Sequence, residues 1–184
     1  MKLLVVAFEY YPIIGGGGSY VKNLVFELSN QDIEVYLLTN GGEDRIENPR
    51  KNLEVLRFKH FKDIYHGEGN FIQGVNIIVK KIQEINPDII HSHHSLETLI
   101  TETANINFGL PHVVTHHKTP EYRDDSYKIN GKWSVYNFIN SSCREKYFIA
   151  PSKAFERNLI ESGVNEGNIL QIYPGVDRNI FKKI

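Results

Sequence analysis

Five of the eight histidines in this 184-residue sequence fall in two short clusters whose residue types could do chemistry. The first cluster is His91-Ser92-His93-His94 and the second is His116-His117, and each follows an apolar run of strand type. Histidine can hydrogen bond to a hydroxyl or phosphate group, or move a proton near pH 7. Because His93 and His117 follow the strands, we expect both side chains to point toward a cleft.

The other members of these clusters favour a structural interpretation. We interpret His91 and His116 as core residues at strand ends that bond to the backbone.

Zinc needs three or four ligands, usually with help from cysteine or a carboxylate. The single cysteine, Cys143, is predicted on a helix away from the clusters, and His-Ser-His-His lacks helical i, i+4 spacing. We therefore predict no metal site.

A glycine-rich segment gives the second chemical signal. Gly15, Gly16, Gly17, Gly18 and Ser19 lie between a buried strand and a helix. Each ordered glycine costs about 0.5–1 kcal/mol relative to alanine, which a chain tolerates where its backbone must approach something closely. The N-terminus of a helix attracts anions through its N–H groups and its dipole. The segment is consistent with a bound diphosphate, and equally with a tight turn that binds nothing.

The elements that must position these residues alternate between strands and helices. Continuous apolar runs predict seven strands over residues 3–8, 33–39, 53–58, 88–91, 112–116, 147–150 and 169–173. Apolar spacing and capping residues predict helices over residues 20–30, from Asn70 to Pro87, from Ser95 to about residue 106, near residues 133–143, and from Ser152 to Gly163. The polar residues 40–52 are interpreted as a loop.

This order predicts an α/β fold, a Rossmann-like three-layer α/β/α domain with a seven-stranded, mostly parallel sheet. Ligands of such sheets bind beyond the C-terminal ends of the strands, at the point where the strand order reverses. We therefore expect residues 15–19, 92–95 and 116–119 to meet at one edge of the sheet, which we call the rim.

Composition limits the class of protein. The formal net charge of −1 gives no general basic surface for nucleic acid. One cysteine excludes a disulfide within the chain and fits a reducing cytoplasm. No apolar stretch approaches the roughly 20 residues of a membrane span. The length fits one large domain.

Six short motifs follow one another along the chain. In chain order they are Pro12-x-x-Gly15-Gly16-x-x-x-x-Val21-x-x-Leu24, Ile33-x-Val35, Asp88-x-x-His91-x-His93, Pro111-x-Val113-x-Thr115-x-His117, Ala150-x-Ser152 and Tyr173-Pro174-Gly175-Val176-Asp177. Taken together, they resemble the N-terminal half of retaining glycosyltransferases of family 4, which have the GT-B fold. Each motif alone is weak, but their order and spacing together cover residues 3–181. The family pattern has two glycines in its loop, so Gly17 and Gly18 exceed it.

The resemblance implies transfer of a hexosyl group from a nucleoside diphosphate sugar to an acceptor hydroxyl, with retention and without an obligatory metal or other cofactor. It implies that Gly15 and Gly16 approach the donor diphosphate and sugar, in a donor loop that we extend over residues 15–19. It also implies that His117, as the catalytic residue, contacts the donor sugar near the reacting carbon. His93 matches a position near the acceptor pocket. We add Glu9, Tyr122 and Tyr127 as further acceptor-binding residues.

The resemblance also implies a partner domain. Residues 1–173 correspond to the acceptor-binding domain and residues 174–184 to the crossover toward a donor-binding C-terminal domain. We expect little activity from this chain alone, because positioning needs both walls of the cleft. Peripheral membrane association is expected if the acceptor is a lipid.

Two other functions are weighed against this interpretation. A small nucleotide-binding dehydrogenase would need Gly-x-Gly-x-x-Gly close behind the first strand and an acidic residue at the end of the second, where Thr39-Asn40 stand instead. A non-catalytic module that binds a sugar or a partner through the acceptor face is the alternative that the sequence leaves open.

Overall fold

The computed structural model describes residues 1–12, 15–117 and 146–176, together with the backbone of residues 128–129 and 133–134. Eight strands form the main sheet: β1 (Lys2–Val6), β2 (Glu34–Asn40), β3 (Arg45–Arg50), β4 (Leu53–Phe58), β5 (Ile89–His93), β6 (His112–Thr115), β9 (Tyr147–Ala150) and β10 (Ile169–Gln171). Two short strands, β7 (Lys128–Ile129) and β8 (Trp133–Ser134), pair separately. The helices are α1 (Gly16–Ser29), α2 (Lys59–Tyr65), α3 (Phe71–Ile85), α4 (Ser95–Asn105) and α5 (Lys153–Glu161), with a 3-10 turn at Glu166–Asn168.

The strand order fixes where the rim lies. The sheet runs β10-β9-β6-β5-β1-β2-β4-β3, and every neighbouring pair except β3 with β4 is parallel. Because β1 pairs with β2 on one side and β5 on the other, the strand order reverses beside β1. The C-terminal ends of β1, β5 and β6 are therefore adjacent, as the sequence predicted.

Alternation along β1 divides the core into two layers, one on each face of the sheet. Leu4, Val6 and Phe8 pack with apolar residues of α2, α3 and α4. Leu3, Val5 and Ala7 pack on the opposite face with Val21 and Val25 of α1. Burial of both faces explains why the strands are continuously apolar. The predicted three-layer α/β/α arrangement is confirmed.

Two predicted helix starts are confirmed by their caps. The side chain of Asn70 accepts a hydrogen bond from the Gln73 backbone N–H at 3.2 Å, and Ser152 accepts one from the Phe155 N–H at 3.4 Å. The N–H groups in the first turn of a helix have no preceding helical carbonyl to bond to, and in both cases the capping side-chain oxygen accepts one of these hydrogen bonds instead.

Other predicted element limits are wrong. The sheet has eight strands rather than seven, because β3 lies inside the polar segment predicted as a loop and pairs antiparallel with β4. Helix α2 was not predicted. Helix α1 begins at Gly16 rather than residue 20, so most of the glycine segment is its first turn. Ser95 is the first residue of α4 rather than its cap, which is His94.

A further prediction concerned a helix near residues 133–143. Trp133 and Ser134 form strand β8 instead, and residues 135–143 lie outside the described residues. Within the part of the chain that the structure describes, no helix is both long and apolar enough to cross a bilayer.

Candidate active site at the rim

The first turn of α1, the helix that follows β1 along the chain, lies at the rim. Gly15 precedes the helix in extended conformation, and no side chain caps the helix start. The first amide that closes the turn is that of Ser19, which donates to the Gly15 carbonyl at 3.0 Å. The N–H groups of residues 16–18 therefore have no partner within the helix, which is the arrangement that favours an anion. Gly16 and Ser19 are exposed, whereas Gly17 and Gly18 are buried.

Three histidine rings stack beneath the rim. The rings of His91 and His93 lie 4.3 Å apart, and those of His93 and His117 lie 5.2 Å apart and nearly parallel at 9°. His93 Nδ1 is 3.0 Å from His117 Nε2, which is a hydrogen-bond distance. Tyr20 of α1 covers the His117 ring at 4.7 Å.

Burial keeps these three rings neutral. It lowers the pKa of His91 to about 3 and the pKa of His117 to about 3, and it lowers the pKa of His93 well below its ordinary value. Neighbouring histidines lower all three pKa values further, because two protonated rings this close together would repel each other. His117 is thus a neutral hydrogen-bonding group at pH 7.

The structure corrects the expectation for His93. Its side chain is fully buried between His91 and His117, because the last residue of β5 points into the layer rather than out of the sheet edge. His117 is half-buried.

His91 is buried, as expected, but its hydrogen-bond partner differs from the expected one. Its Nε2 lies 2.8 Å from the Thr115 hydroxyl rather than from a backbone group. His116 is buried as expected and packs near Phe148.

Glu9 lies at the rim with two partners that the sequence did not indicate. Its Oε1 accepts a hydrogen bond from the Tyr65 hydroxyl at 2.9 Å. Its Oε2 lies 3.9 Å from His94 Nε2. Burial, and then the hydrogen bond to Glu9, raise the pKa of Tyr65 to about 12, so this hydroxyl keeps its proton. A Cβ at Gly17 would lie 2.9 Å from both Glu9 Oε2 and His94 Nε2.

A buried arginine holds the chain that enters the glycine segment. Arg57 donates to the Tyr11 carbonyl at 2.7 Å and to the Asn40 carbonyl at 3.3 Å. It also donates to Glu47 of β3 at 2.7 Å, and its guanidinium lies over the Tyr10 ring. Arginine suits this position because its fixed fork can donate to several acceptors at once.

Some sequence-based expectations are not addressed by this geometry. Tyr122 and Tyr127 lie outside the described residues. In residues 1–12, 15–117 and 146–176, no group of three or more histidine, cysteine or acidic side chains is arranged to hold a metal ion. A polar groove lined by Glu34, Arg50 and Asn52 lies at the opposite end of the sheet from the rim and holds none of the predicted site residues.

The fold and the rim together define a Rossmann-like domain of the GT-B type. The family model described as Glycosyltransferase Family 4 matches residues 14–179, so the chain belongs to that family. The chain is 29% identical over 182 residues to a protein of Methanocaldococcus jannaschii named as an uncharacterized glycosyltransferase. The match covers 98% of this chain and 48% of that protein.

Two solved structures share the fold at low sequence identity. Sucrose-phosphate synthase from Thermosynechococcus elongatus superposes with a TM-score of 0.80 at 13% identity, covering 100% of this chain and 50% of that one. Anabaena HepE, solved in complex with UDP-glucose, superposes with a TM-score of 0.66 at 16% identity, covering 100% of this chain and 46% of that one. The chain thus spans about half the length of these relatives.

Proposed function

We propose that this chain is the acceptor-binding half of a retaining glycosyltransferase that moves a hexosyl group from a nucleoside diphosphate sugar to an acceptor hydroxyl. The observation that supports this most directly is membership of glycosyltransferase family 4 over residues 14–179. The proposal also draws on HepE, a protein of the same fold that was solved with UDP-glucose.

Residues 15–19 are proposed to lie against the donor diphosphate. The amides of residues 16–18 point out of the start of α1 and would stabilise the negative charge that develops on the leaving phosphate. The partner domain would carry most of the donor-binding groups. Residues 15–19 would add stabilisation from backbone N–H groups, not from cationic side chains.

His117 is proposed to orient the transferred sugar. Its Nε2 is engaged with His93 Nδ1, so Nδ1 is the ring nitrogen that can reach a sugar hydroxyl. Since burial keeps the ring neutral, we assign it a hydrogen bond rather than a charge interaction. His93 is then a positioning residue that fixes the ring of His117, in place of the direct acceptor contact expected from the sequence.

The acceptor is proposed to lie beside Glu9, with Tyr122 and Tyr127 as further contacts. The leaving diphosphate would take the proton of the acceptor hydroxyl on the same face of the sugar. The reaction would use no cofactor besides the nucleotide sugar and no metal. The partner is the protein's own C-terminal domain across a crossover at residues 174–184, and the proposed location is the cytoplasm.

A transfer assay tests the function. The 184-residue chain is compared with a version extended to the natural stop codon, on a panel of UDP- and GDP-sugars with and without EDTA. We expect activity only in the longer protein, unchanged by EDTA, and a product whose anomeric configuration by NMR equals that of the donor. Activity in the short chain would contradict the two-domain proposal, and absence of activity in both would favour a non-catalytic binding module.

His117→Ala in the longer protein tests the proposed role of that residue. Loss of one hydrogen bond that strengthens in the transition state is expected to lower kcat about tenfold or more. His60→Ala is a suitable control, because His60 lies in the first turn of α2 and its Nε2 contacts the Asn70 carbonyl at 2.8 Å. A kcat for His117→Ala within twofold of the parent would remove the case for His117.

A further inference from the structure

The rings of His93 and His117 are joined by a well-aligned hydrogen bond. His93 Nδ1 lies 3.0 Å from His117 Nε2, and the ring centroids lie 5.2 Å apart. This pair of distances is reached only when the two nitrogens face each other along the line between the ring centres. The planes of the two rings differ by only 9°, so the bond has the directional geometry of an N–H pointing at a nitrogen lone pair.

One of the two bonded nitrogens carries the proton. Burial keeps both rings neutral at pH 7, and a neutral imidazole has one N–H and one bare nitrogen. If His93 donates from Nδ1, its Nε2 is bare and His117 carries its own proton on Nδ1. If His117 donates from Nε2 instead, His93 carries its proton on Nε2 and His117 Nδ1 is bare.

The surroundings of His93 Nε2 decide between these two arrangements. This atom is buried and has no hydrogen-bond partner among the described residues. It would be an N–H without an acceptor in the second arrangement, but only a bare nitrogen in the first. Buried N–H groups that lack an acceptor are rarer in folded proteins than buried acceptors that lack a donor. The first arrangement is therefore favoured, in which both rings carry the proton on Nδ1.

The free ring nitrogen of His117 has different surroundings. His117 is half-buried, and within the described part of the chain its one hydrogen bond is the bond at Nε2. Unlike His93 Nε2, its Nδ1 keeps accessible surface. Tyr20 covers the ring at 4.7 Å, so the ring edge at Nδ1 is the part that a ligand can reach.

The position of the proton selects the kind of group that His117 can bind. An Nδ1–H donates to the oxygen of a hydroxyl, a carbonyl or a carboxylate, but it cannot accept a proton from an ammonium group. The ring therefore suits a sugar that presents a hydroxyl or an acetamido carbonyl at this point. A sugar with a free amino group there would place two donors against each other.

We propose that His93 donates its Nδ1–H to His117 and thereby sets His117 as a hydrogen-bond donor, through its own Nδ1–H, to an oxygen atom of the transferred sugar. This proposal rests on the proposed function of His117. It adds to that function the direction of the hydrogen bond to the sugar and the residue that sets this direction. His93 is a positioning residue, because it acts through His117.

The proton positions are tested by NMR on the 184-residue chain, with its histidines labelled with nitrogen-15 and no substrate present. The spectrum is recorded at mildly alkaline pH, where exposed histidines are also neutral. Long-range proton–nitrogen correlations distinguish an Nδ1–H ring from an Nε2–H ring, and the signals are assigned through the backbone. We expect the Nδ1–H form for both His93 and His117. The Nε2–H form, a doubly protonated ring, or a mixture of forms at either residue would overturn the proposal.

Two other histidines are internal controls in the same spectrum. His60 Nε2 lies 2.8 Å from the Asn70 carbonyl, which can only accept, so His60 should have the Nε2–H form. His112 Nδ1 contacts the Glu102 carboxylate, and its Nε2 lies 2.7 Å from the Ser92 hydroxyl. Because a carboxylate can only accept, His112 should have the Nδ1–H form. The chain thus supplies one reference for each form.

The effect on transfer is tested in the longer protein with the best donor of the transfer panel. His93→Leu removes the N–H that His117 accepts, so the proton of His117 is free to move to Nε2. We expect kcat to fall about fivefold with little change in KM, a smaller loss than in His117→Ala. His93→Asn, whose amide N–H can replace Nδ1–H, should restore most of the loss. In the His117→Ala background, His93→Leu should have no further effect on kcat, which a merely structural role would not produce.

Ile90→Val is the matched control for a change in the packing of β5. Ile90 lies on the same strand as His93 and is also fully buried, but the change removes only one methyl group and no hydrogen bond. Its kcat should stay within twofold of the parent value. A fall in kcat as large as that of His93→Leu would mean that loosening of the strand, and not the hydrogen bond, controls transfer.

The outcomes separate this proposal from the proposed function. A kcat for His93→Leu within twofold of the parent, or full additivity of His93→Leu and His117→Ala, would overturn the role of His93 while transfer itself stands. Absence of transfer in the longer parent protein would refute the proposed function and the sugar contact with it. The spectrum of the 184-residue chain would still decide where the two protons lie.

Discussion

Replacing Gly17 with alanine would disturb the site without unfolding the domain. The added Cβ would lie 2.9 Å from Glu9 Oε2 and 2.9 Å from His94 Nε2. Both atoms are ends of side chains, so they can move. An ordinary contact is about 3.5 Å, and each atom must therefore shift by about 0.6 Å.

The expected change in stability is small because two effects oppose each other. Alanine in place of glycine in a helix stabilises by about 0.5–1 kcal/mol. Displacing Glu9 weakens its hydrogen bond with Tyr65, which costs about 0.5–1.5 kcal/mol. The free energy of unfolding should change by no more than about 1 kcal/mol, which moves the thermal midpoint by at most about 4 °C in a chain of this size.

The expected change in activity is large. Misplacement by about 1 Å can cost about a hundredfold in rate, so a shift of about half that distance should lower kcat/KM about tenfold. Calorimetry on the 184-residue chain gives the midpoint, and the transfer assay on the longer protein gives kcat/KM. Gly42→Ala is the control, because its Cβ meets nothing within 4 Å and both readouts should stay at the parent value.

Two results would refute this reasoning. A midpoint lowered by more than about 8 °C would mean that the Cβ meets atoms that cannot move. A kcat/KM within twofold of the parent would mean that the positions of Glu9 and His94 do not affect transfer.

Two further predictions concern stability. Burial holds the folded-state pKa of His91 and of His117 at about 3, below the value in the unfolded chain. The unfolded state therefore binds more protons than the folded state. As a result, the free energy of unfolding should fall as the pH drops below 6.5. Each histidine can lower the free energy of unfolding by up to about 2 kcal/mol between pH 6.5 and pH 5. Urea unfolding at several pH values measures this loss, and a free energy that stays constant over that range would contradict the burial of neutral rings. Arg57→Leu should cost about 2–4 kcal/mol in the same assay. The change leaves the Tyr11 carbonyl without its Arg57 donor, and it leaves Glu47, which is only 33% exposed, with Arg45 as its remaining cation. A loss below about 1 kcal/mol would mean that water replaces the guanidinium at no cost.

Much of the fold could be predicted because its signals are local. All seven strands predicted from continuous apolar runs are present, since a parallel sheet covered on both faces needs such runs. The caps at Asn70 and Ser152 were predictable because each one joins a side chain to a backbone N–H only three residues away.

The missed elements depend on contacts between distant residues. Strand β3 has polar side chains and a proline, and it is recognisable only by its pairing with β4 and by the Glu47–Arg57 ion pair. Tyr65 was missed because its helix was not predicted, and its hydrogen bond to Glu9 spans 56 residues. No pattern along the chain reports such a contact.

The sequence by itself determined the order of strands and helices, and with it the meeting of three loops at the C-terminal ends of β1, β5 and β6. Only the tertiary structure decided where each histidine of His91-Ser92-His93-His94 lies. Both faces of the sheet are covered, so His93 at the end of β5 is buried, as are His91 and Ser92 before it. His94 follows β5 with a positive φ that costs energy by itself, and hydrogen bonds to Thr98 and Thr115 hold its backbone there. Its ring lies beside Glu9 with Nε2 buried.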